Sequence, residues 1–325
     1  MKLPSAQDIS MQIENFNYFL GTIVADPLDG FPHDAKIHIE QGLFVPNDPP
    51  GAYPIYDLSH YKGVVLSVHF RGDTWSTVEG SAVMIAPGIA ATAAHVIEDV
   101  IPHIMERGLL PYCVGMTSSG LRIWRMKHIT KVPNSDIMLL SLEYRSPIPA
   151  DRTFHQARIT ARLPAIGELV MISGFRAAAH YVPSATFPYF PVEGGNVQYG
   201  IDLRIAVGAV TAHWLSGGPL VPSPCVEISC PAPSGMSGGP AFDQSGHVIG
   251  ILSSSLNDSE QAGHSRISLL APALALTVQP SFLNLFSAPF RLLDLDPNLC
   301  GIEERERMQA FEDATTGEIR VEMDW

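Results

Sequence analysis

Short apolar runs separated by turn-rich stretches dominate the middle of the chain. Val64–Phe70, Ser81–Ile85, Leu121–Trp124, Ile137–Leu142, Leu169–Ile172, Ile205–Val210, Val248–Leu252 and Ile267–Leu270 are the clearest. Runs this short cannot hold a helix of ordinary length, so each predicts a strand. The 27 glycines and 27 prolines supply many turns, as an all-β architecture requires. Helical spacing is confined to Ala94–Val100, which predicts one short turn of helix, and to Glu303–Asp313 near the end. Beyond Ser237, the stretch from Pro240 to Leu252 predicts a hairpin of two short strands around Ser245-Gly246.

Three motifs placed among these runs carry chemistry. Thr92-Ala93-Ala94-His95-Val96 offers a base, Asn134-Ser135-Asp136 followed by Ile137–Leu140 offers a carboxylate, and Gly235-Met236-Ser237-Gly238-Gly239-Pro240 offers a hydroxyl. A serine hydroxyl holds its proton at neutral pH and is a poor nucleophile alone. A histidine within reach can take that proton, and a carboxylate behind it fixes the tautomer and stabilises the imidazolium. Each motif also has a plain reading. A lone histidine after an apolar strand is usually a satisfied polar residue, Asp136 could merely start a strand, and Ser237 among glycines could be an ordinary turn. The order His, Asp, Ser, with separations of 41 and 101 residues, is what favours chemistry over three coincidences.

Gly235-Met236-Ser237-Gly238-Gly239 also fits G-x-S-x-G, the nucleophile elbow, in which a strand precedes the serine and a helix follows it. Here Pro240 and a hairpin pattern follow, with no helix start, so the elbow reading fails on context.

The three motifs resemble those of the chymotrypsin-fold (trypsin-like) serine peptidases, in their compact bacterial-type branch. Residues 92–96 are similar to the family's base motif at a strand end, 134–140 to its acid motif, and 235–240 to its nucleophile loop. The resemblance covers roughly Gly63 to Thr277. It implies an all-β fold of two six-stranded antiparallel β-barrels, residues 63–150 and 151–277, with N- and C-terminal extensions. It implies His95, Asp136 and Ser237 as the triad, with the amides of Gly235 and Ser237 as the oxyanion hole. It places Pro231 at the base of the primary substrate pocket, where trypsin-type enzymes carry an Asp. Leu252 stands where glutamate-specific relatives carry a His. Ser253, Ser254 and Ser255 become the strand that bonds the substrate backbone. A small or medium apolar residue before the cut is the expected preference. Met236 replaces the Asp that binds a newly freed N-terminus in digestive relatives, so no N-terminal cleavage is expected. The resulting expectation is a serine endopeptidase acting through an acyl-enzyme, with no cofactor and no metal. Two alternatives share the sequence: a silent double barrel used as a binding module, and an esterase on the same triad.

Charge divides the chain into three parts. Residues 1–62 hold 8 acidic against 3 basic side chains, residues 63–277 hold 15 against 13, and residues 278–325 hold 10 against 4. Thus 11 of the 13 net negative charges sit in the two extensions. An acidic surface repels phosphates and anionic lipid, which argues against nucleic-acid and membrane partners. A protein or peptide substrate, with a regulatory protein as a further partner, is the expectation that remains. The apolar residues Phe282, Leu285, Phe286, Phe290, Leu292 and Leu293 are expected to pack on the body, leaving Glu303–Trp325 exposed or touching a partner. Met1–Asp8 carries no apolar leader core, and no run of 18 apolar residues occurs. Cys113, Cys225, Cys230 and Cys300 are few and irregularly spaced for a disulfide framework, which points to a reducing, cytoplasmic setting. Cys225 and Cys230 could form half of a zinc site but lack a second close pair.

Overall fold

A computed structural model describes residues 18–24, 38–42, 62–72, 75–117, 120–146, 148–149, 153–177, 189–193, 196–218, 221, 223–232, 235–256, 263–282, 285–312 and 319–324. Six strands build a first barrel: β1 (Val65–Arg71), β2 (Trp75–Ala86), β3 (Ile89–Ala93), β4 (Leu110–Thr117), β5 (Gly120–Lys131) and β6 (Ile137–Tyr144). They pair antiparallel in the order β2-β1-β4-β5-β6-β3, and β3 closes the ring onto β2. A second barrel follows from β7 (Leu169–Ala177), β8 (Asn196–Trp214), β9 (Cys225–Ile228), β10 (Pro240–Phe242), β11 (Val248–Leu256) and β12 (His264–Leu269). Its order is β7-β10-β11-β12-β9-β8, with β7 closing onto β8. The fold is therefore an all-β pair of closed six-stranded antiparallel barrels.

Counted from its own first strand, each barrel follows the same cyclic order, 2-1-4-5-6-3. The sequence shows no matching internal repeat. Barrel closure constrains hydrogen bonding and inward-facing volume but leaves residue identity free. Closure also removes the exposed edges that an open sheet would present to other chains. The strand Tyr189–Glu193 pairs with both β2 and β8 and joins the barrels into one sheet.

Inward positions are apolar and tightly covered. Val68, Phe70, Ile85, Ile89, Ile137 and Leu140 are buried in the first barrel, and Val170, Ile172, Val226, Ile249 and Ile267 in the second. Val248 and Phe242 face the contact with the first barrel's cluster, so the two cores meet. Removing a large core side chain of this kind typically costs about 2–5 kcal/mol.

Helix α1 (Ala94–Glu98) falls where sequence spacing places it, and α2 (Ile101–Arg107) follows directly with Pro102 in its first turn. The helix expected over Glu303–Asp313 is absent. Arg305–Arg307 form one 3₁₀ turn, and Met308–Glu312 form a strand paired with Ile319–Met323. Alternating exposure of Gln309 and Phe311 against buried Met308 shows the two-residue period that the charged spacing obscured.

Described segments before and after the two barrels join the body. Tyr18–Val24 lies antiparallel against the first half of β8, and His38–Gly42 runs parallel to Thr153–Ala157 in the connection between barrels. After the second barrel, Phe282 packs on Trp124 of the first and on Phe154 of the connection, at ring-centroid distances of 5.5 and 5.1 Å. Phe282 and Leu292 are buried, and Phe286, Phe290 and Leu293 are partly so, but Leu285 is 47% exposed. Further on, Ile302–Glu303 pairs with Ile159–Thr160, which also reaches β11 at Val248. Met308 is buried, so the segment after Glu303 is less exposed than its charge predicts. Among the described residues, no helix is long and apolar enough to cross a membrane.

Candidate active site

His95 and Asp136 meet because their strands do. Ala93 at the end of β3 is the cross-strand partner of Ile137 at the start of β6. His95 follows that strand end by two residues, and Asp136 precedes the other by one. The Ala94 amide extends the ladder by donating to the Asp136 carbonyl at 3.1 Å. Before β6, Asn134 adopts a left-handed φ of 51°, and the Ser135 hydroxyl accepts the Ile137 amide at 2.9 Å. These local bonds turn the Asp136 side chain toward the first turn of α1.

The contact between the two is many-pronged. His95 Nδ1 lies 2.9 Å from Asp136 Oδ2 and 3.1 Å from Oδ1, and the His95 amide donates to Oδ1 at 3.1 Å. A carboxylate at Nδ1 selects the tautomer that carries its proton there, which leaves Nε2 as the basic nitrogen. The hydrogen bond to Asp136 raises the His95 pKa, partial burial opposes it, and the charges of Asp136, Asp99 and Glu98 add to the rise. Asp136 is the more sheltered partner, its side chain 16% exposed against 40% for His95.

Ser237 belongs to the second barrel and is held by backbone. The Gly239 amide donates to the Met236 carbonyl at 2.9 Å, so Ser237 and Gly238 occupy the two central positions of a turn. Gly238 has φ 81°, the value a type II turn demands at its third residue and L side chains avoid. The Gly238 amide donates to the Leu252 carbonyl and the Leu252 amide to the Gly239 carbonyl, both at 2.9 Å. These two bonds strap the turn to β11. Ahead of the turn, Met236 is fully buried in the second barrel's core.

The turn is pressed into the seam between barrels. A Cβ at position 238 would lie 2.1 Å from the Ser81 carbonyl oxygen and 3.0 Å from the Ala93 nitrogen. At 239 it would lie 2.1 Å from the Ser173 carbonyl oxygen. Ala93 stands two residues before His95, so the structure sets the Ser237 turn against the strand that ends in the histidine. Gly235 also has a left-handed φ, 92°, and among the described residues neither its amide nor that of Ser237 donates to a backbone carbonyl. Pro233 and Ser234 lie outside the described residues.

The remaining sequence-derived positions are less convergent. Pro231 is exposed, while its neighbour Ala232 is buried and its amide donates to the Ser265 hydroxyl at 2.9 Å. Ser253 turns its hydroxyl away to Ser268, 2.6 Å distant, and the buried Ser254 hydroxyl has no partner among the described residues. Ser255 lies on β11, and its side chain is outside the described residues. What sequence reasoning missed is the seam itself. Gly174 and Ser81 crowd the turn beside Thr92 of the base motif, yet their residue types are ordinary for strands, and no spacing rule marks them.

The arrangement pairs an imidazole with a carboxylate at its Nδ1 and packs the turn that carries Ser237 against Ser81 and Ala93, the latter two residues before that histidine. Comparison with known proteins gives a family. The family described as a trypsin-like peptidase domain matches residues 80–251. Among solved structures, mouse neuropsin, a serine protease expressed in the limbic system of the brain, is 16% identical with a TM-score of 0.43, and the match covers 64% of this chain and 91% of that one. No curated protein matches the chain.

Proposed function

Since this chain belongs to the trypsin-like peptidase family, we propose that it is a serine endopeptidase whose triad is His95, Asp136 and Ser237. The observation that carries the reading is the two-oxygen contact of Asp136 with His95 Nδ1, together with the packing of the Ser237 turn against Ala93, two residues before the histidine. His95 Nε2 takes the proton of the Ser237 hydroxyl as Oγ attacks the scissile carbonyl. The amides of Gly235 and Ser237 receive the developing oxyanion. His95 then gives the proton to the leaving amine, and the acyl group stays on Oγ. Water, deprotonated by the same nitrogen, releases the acid and restores the serine. Asp136 holds the ring and stabilises the imidazolium.

The substrate backbone adds to β11 beyond Leu252. Among the described residues β10 pairs with β11 only through Ile251, which supports an extended peptide adding along Ser253–Ser255. Pro231 and Leu252 supply no charge to pair with Lys, Arg or Glu, so a small or medium apolar residue precedes the cut. Four separate buried thiols favour a reducing compartment, and a protein processed inside the cell is the substrate class.

The test is labelling of the purified chain with a fluorophosphonate, followed by a peptide library. Covalent mass gain on Ser237 and cleavage after apolar residues are expected. An unlabelled wild-type chain would sink the enzyme reading in favour of a binding module. Labelling with ester but no peptide hydrolysis would favour an esterase. Cleavage dominated by Arg, Lys or Glu would overturn the preference.

A further inference from the structure

The geometry points to Ser81 as a positioning residue that sets Ser237 against His95 across the barrel seam, an assignment that rests on the serine-peptidase reading. Ser81 is fully buried on β2, and its groups reach three other elements. Its amide donates to the Ser237 carbonyl at 2.8 Å. Its hydroxyl accepts the Phe175 amide at 2.7 Å and faces the Phe175 carbonyl at 3.3 Å as donor. Its carbonyl accepts the Thr92 hydroxyl at 2.6 Å. One residue thus ties together the nucleophile turn, strand β7 of the second barrel and the end of β3 that leads into His95.

The hydroxyl does what a strand ladder does elsewhere. Strands β2 and β7 come side by side without pairing, and a buried amide and carbonyl at Phe175 need partners. Ser81 Oγ supplies both, as acceptor and donor. Its neighbours admit this closeness only because they lack side chains: a Cβ at Gly80 would lie 2.7 Å from the Ser237 carbonyl oxygen, and one at Gly174 would lie 2.9 Å from Met236 Cβ. Phe175 adjoins Gly174, which backs Met236, so a shift at Phe175 is passed to the residue before the nucleophile. Ser81→Ala keeps the main-chain bond to Ser237 but releases Phe175, loosening the turn relative to His95. Proton transfer from Ser237 to His95 depends on sub-ångström placement, and a misplacement of about 1 Å can cost on the order of 10²-fold in rate.

The experiment compares Ser81→Ala with wild type for kcat per titrated active site, KM, fluorophosphonate labelling rate and Tm. Ser146→Ala is the control. It removes a buried hydroxyl that accepts the Ile123 amide at 2.8 Å, at the far end of β6 from Asp136. The expected result is a fall of roughly 10- to 100-fold in both kcat and labelling rate for Ser81→Ala. KM should stay within about threefold, and Ser146→Ala should lose only Tm, since a buried bond remote from the reacting atoms affects stability alone. A Ser81→Ala chain with kcat and labelling rate near wild type overturns the assignment, as does a change confined to KM. Equal kcat losses in both variants also overturn it, since that marks general destabilisation. Should Ser81→Ala not fold, Thr92→Val is read in its place, because it removes one bond to Ser81 and leaves Phe175 satisfied. A several-fold kcat loss there supports the assignment, and an unchanged kcat overturns it. A wild-type chain inert to both probe and peptide fails the peptidase reading itself, and is told apart by the wild-type measurement alone.

Discussion

The two halves of the candidate site are held by different physics. In the first barrel, His95 and Asp136 are placed by side-chain bonds: two from the ring to the carboxylate and one from the His95 amide to the same carboxylate. In the second, Ser237 is placed by main-chain bonds and by the absence of side chains at positions 238, 239 and 174. The first half can lose its chemistry and keep its shape. The second cannot change shape without losing both. Charged hydrogen bonds are exchangeable for neutral ones of the same geometry, whereas a close backbone approach admits no substitute.

The largest effect should come from the first half. Asp136→Asn keeps the side-chain outline but can present an N–H to Nδ1, which favours the wrong tautomer. In digestive enzymes with this triad the equivalent change lowers kcat by about 10⁴, and a similar loss is expected here. The pH profile sharpens the test. On the proposed mechanism activity needs neutral His95, so kcat/KM should rise as pH climbs through the His95 pKa, which the Asp136 bond holds above its usual value. Losing the carboxylate removes the leading cause of that rise, and the ascending limb should move to lower pH. His69, the fully buried histidine of the first barrel, is pushed down to about 3 by desolvation and contributes no limb at neutral pH. A limb that stays in place in Asp136→Asn would break the assignment of the pair, and an unchanged Tm is expected throughout.

The same contrast governs what the sequence could tell. His95, Asp136 and Ser237 stand out as candidates in the sequence because side-chain chemistry narrows the choice of residue, and the structure brings the first two into contact. Eight strands were legible as apolar runs. Strand β3, Ile89–Ala93, is mostly alanine and carries little hydrophobic signal, yet all five residues are buried. Strand β4 begins Leu110-Pro111 and contains Gly115, so its sequence reads as loop. Pro111 is admitted because it sits near the strand's start. The hub at Ser81 was invisible for another reason. A serine in a strand looks like any small residue until the opposing strand, about 90 residues away, is seen to be paired at Phe175 on one side only, among the described residues.

A smaller but still severe effect is expected from Gly238→Ala in the second half. The residue needs φ 81°, which costs an L residue about 1–3 kcal/mol. Its Cβ would also stand 2.2 Å from the Thr92 hydroxyl oxygen, an overlap that the seam must open to relieve. Overpacking of this kind costs a further 1–3 kcal/mol, roughly. Tm should fall, and kcat per folded chain should fall by on the order of 10², as expected when the nucleophile is displaced by about 1 Å. This is the reverse of Asp136→Asn, which spares Tm. Differential scanning calorimetry beside active-site titration separates the two, and a Gly238→Ala chain with wild-type Tm would erase the contrast between side-chain and backbone control.

The smallest effect on turnover should come from Phe282→Ala, which lies outside both halves. Phe282 is fully buried against Trp124 and Phe154, and it covers Gly88 so closely that a Cβ there would lie 2.4 Å from its own. It is the point where the chain, having completed the second barrel, returns to clasp the first. Emptying this site should cost about 3–5 kcal/mol of stability, the range for a buried phenylalanine. The cavity borders Trp124, the cross-strand partner of Tyr144 at the end of β6, whereas Asp136 precedes that strand's start, so the His95–Asp136 bonds are left alone. The expected outcome is a Tm several degrees lower, with kcat per titrated site within about twofold of wild type below the transition. A tenfold loss of kcat in fully folded Phe282→Ala would show that the C-terminal segment reaches the site through the first barrel. Side-chain bonds at His95 and Asp136 would then depend on packing about as much as the Ser237 turn does.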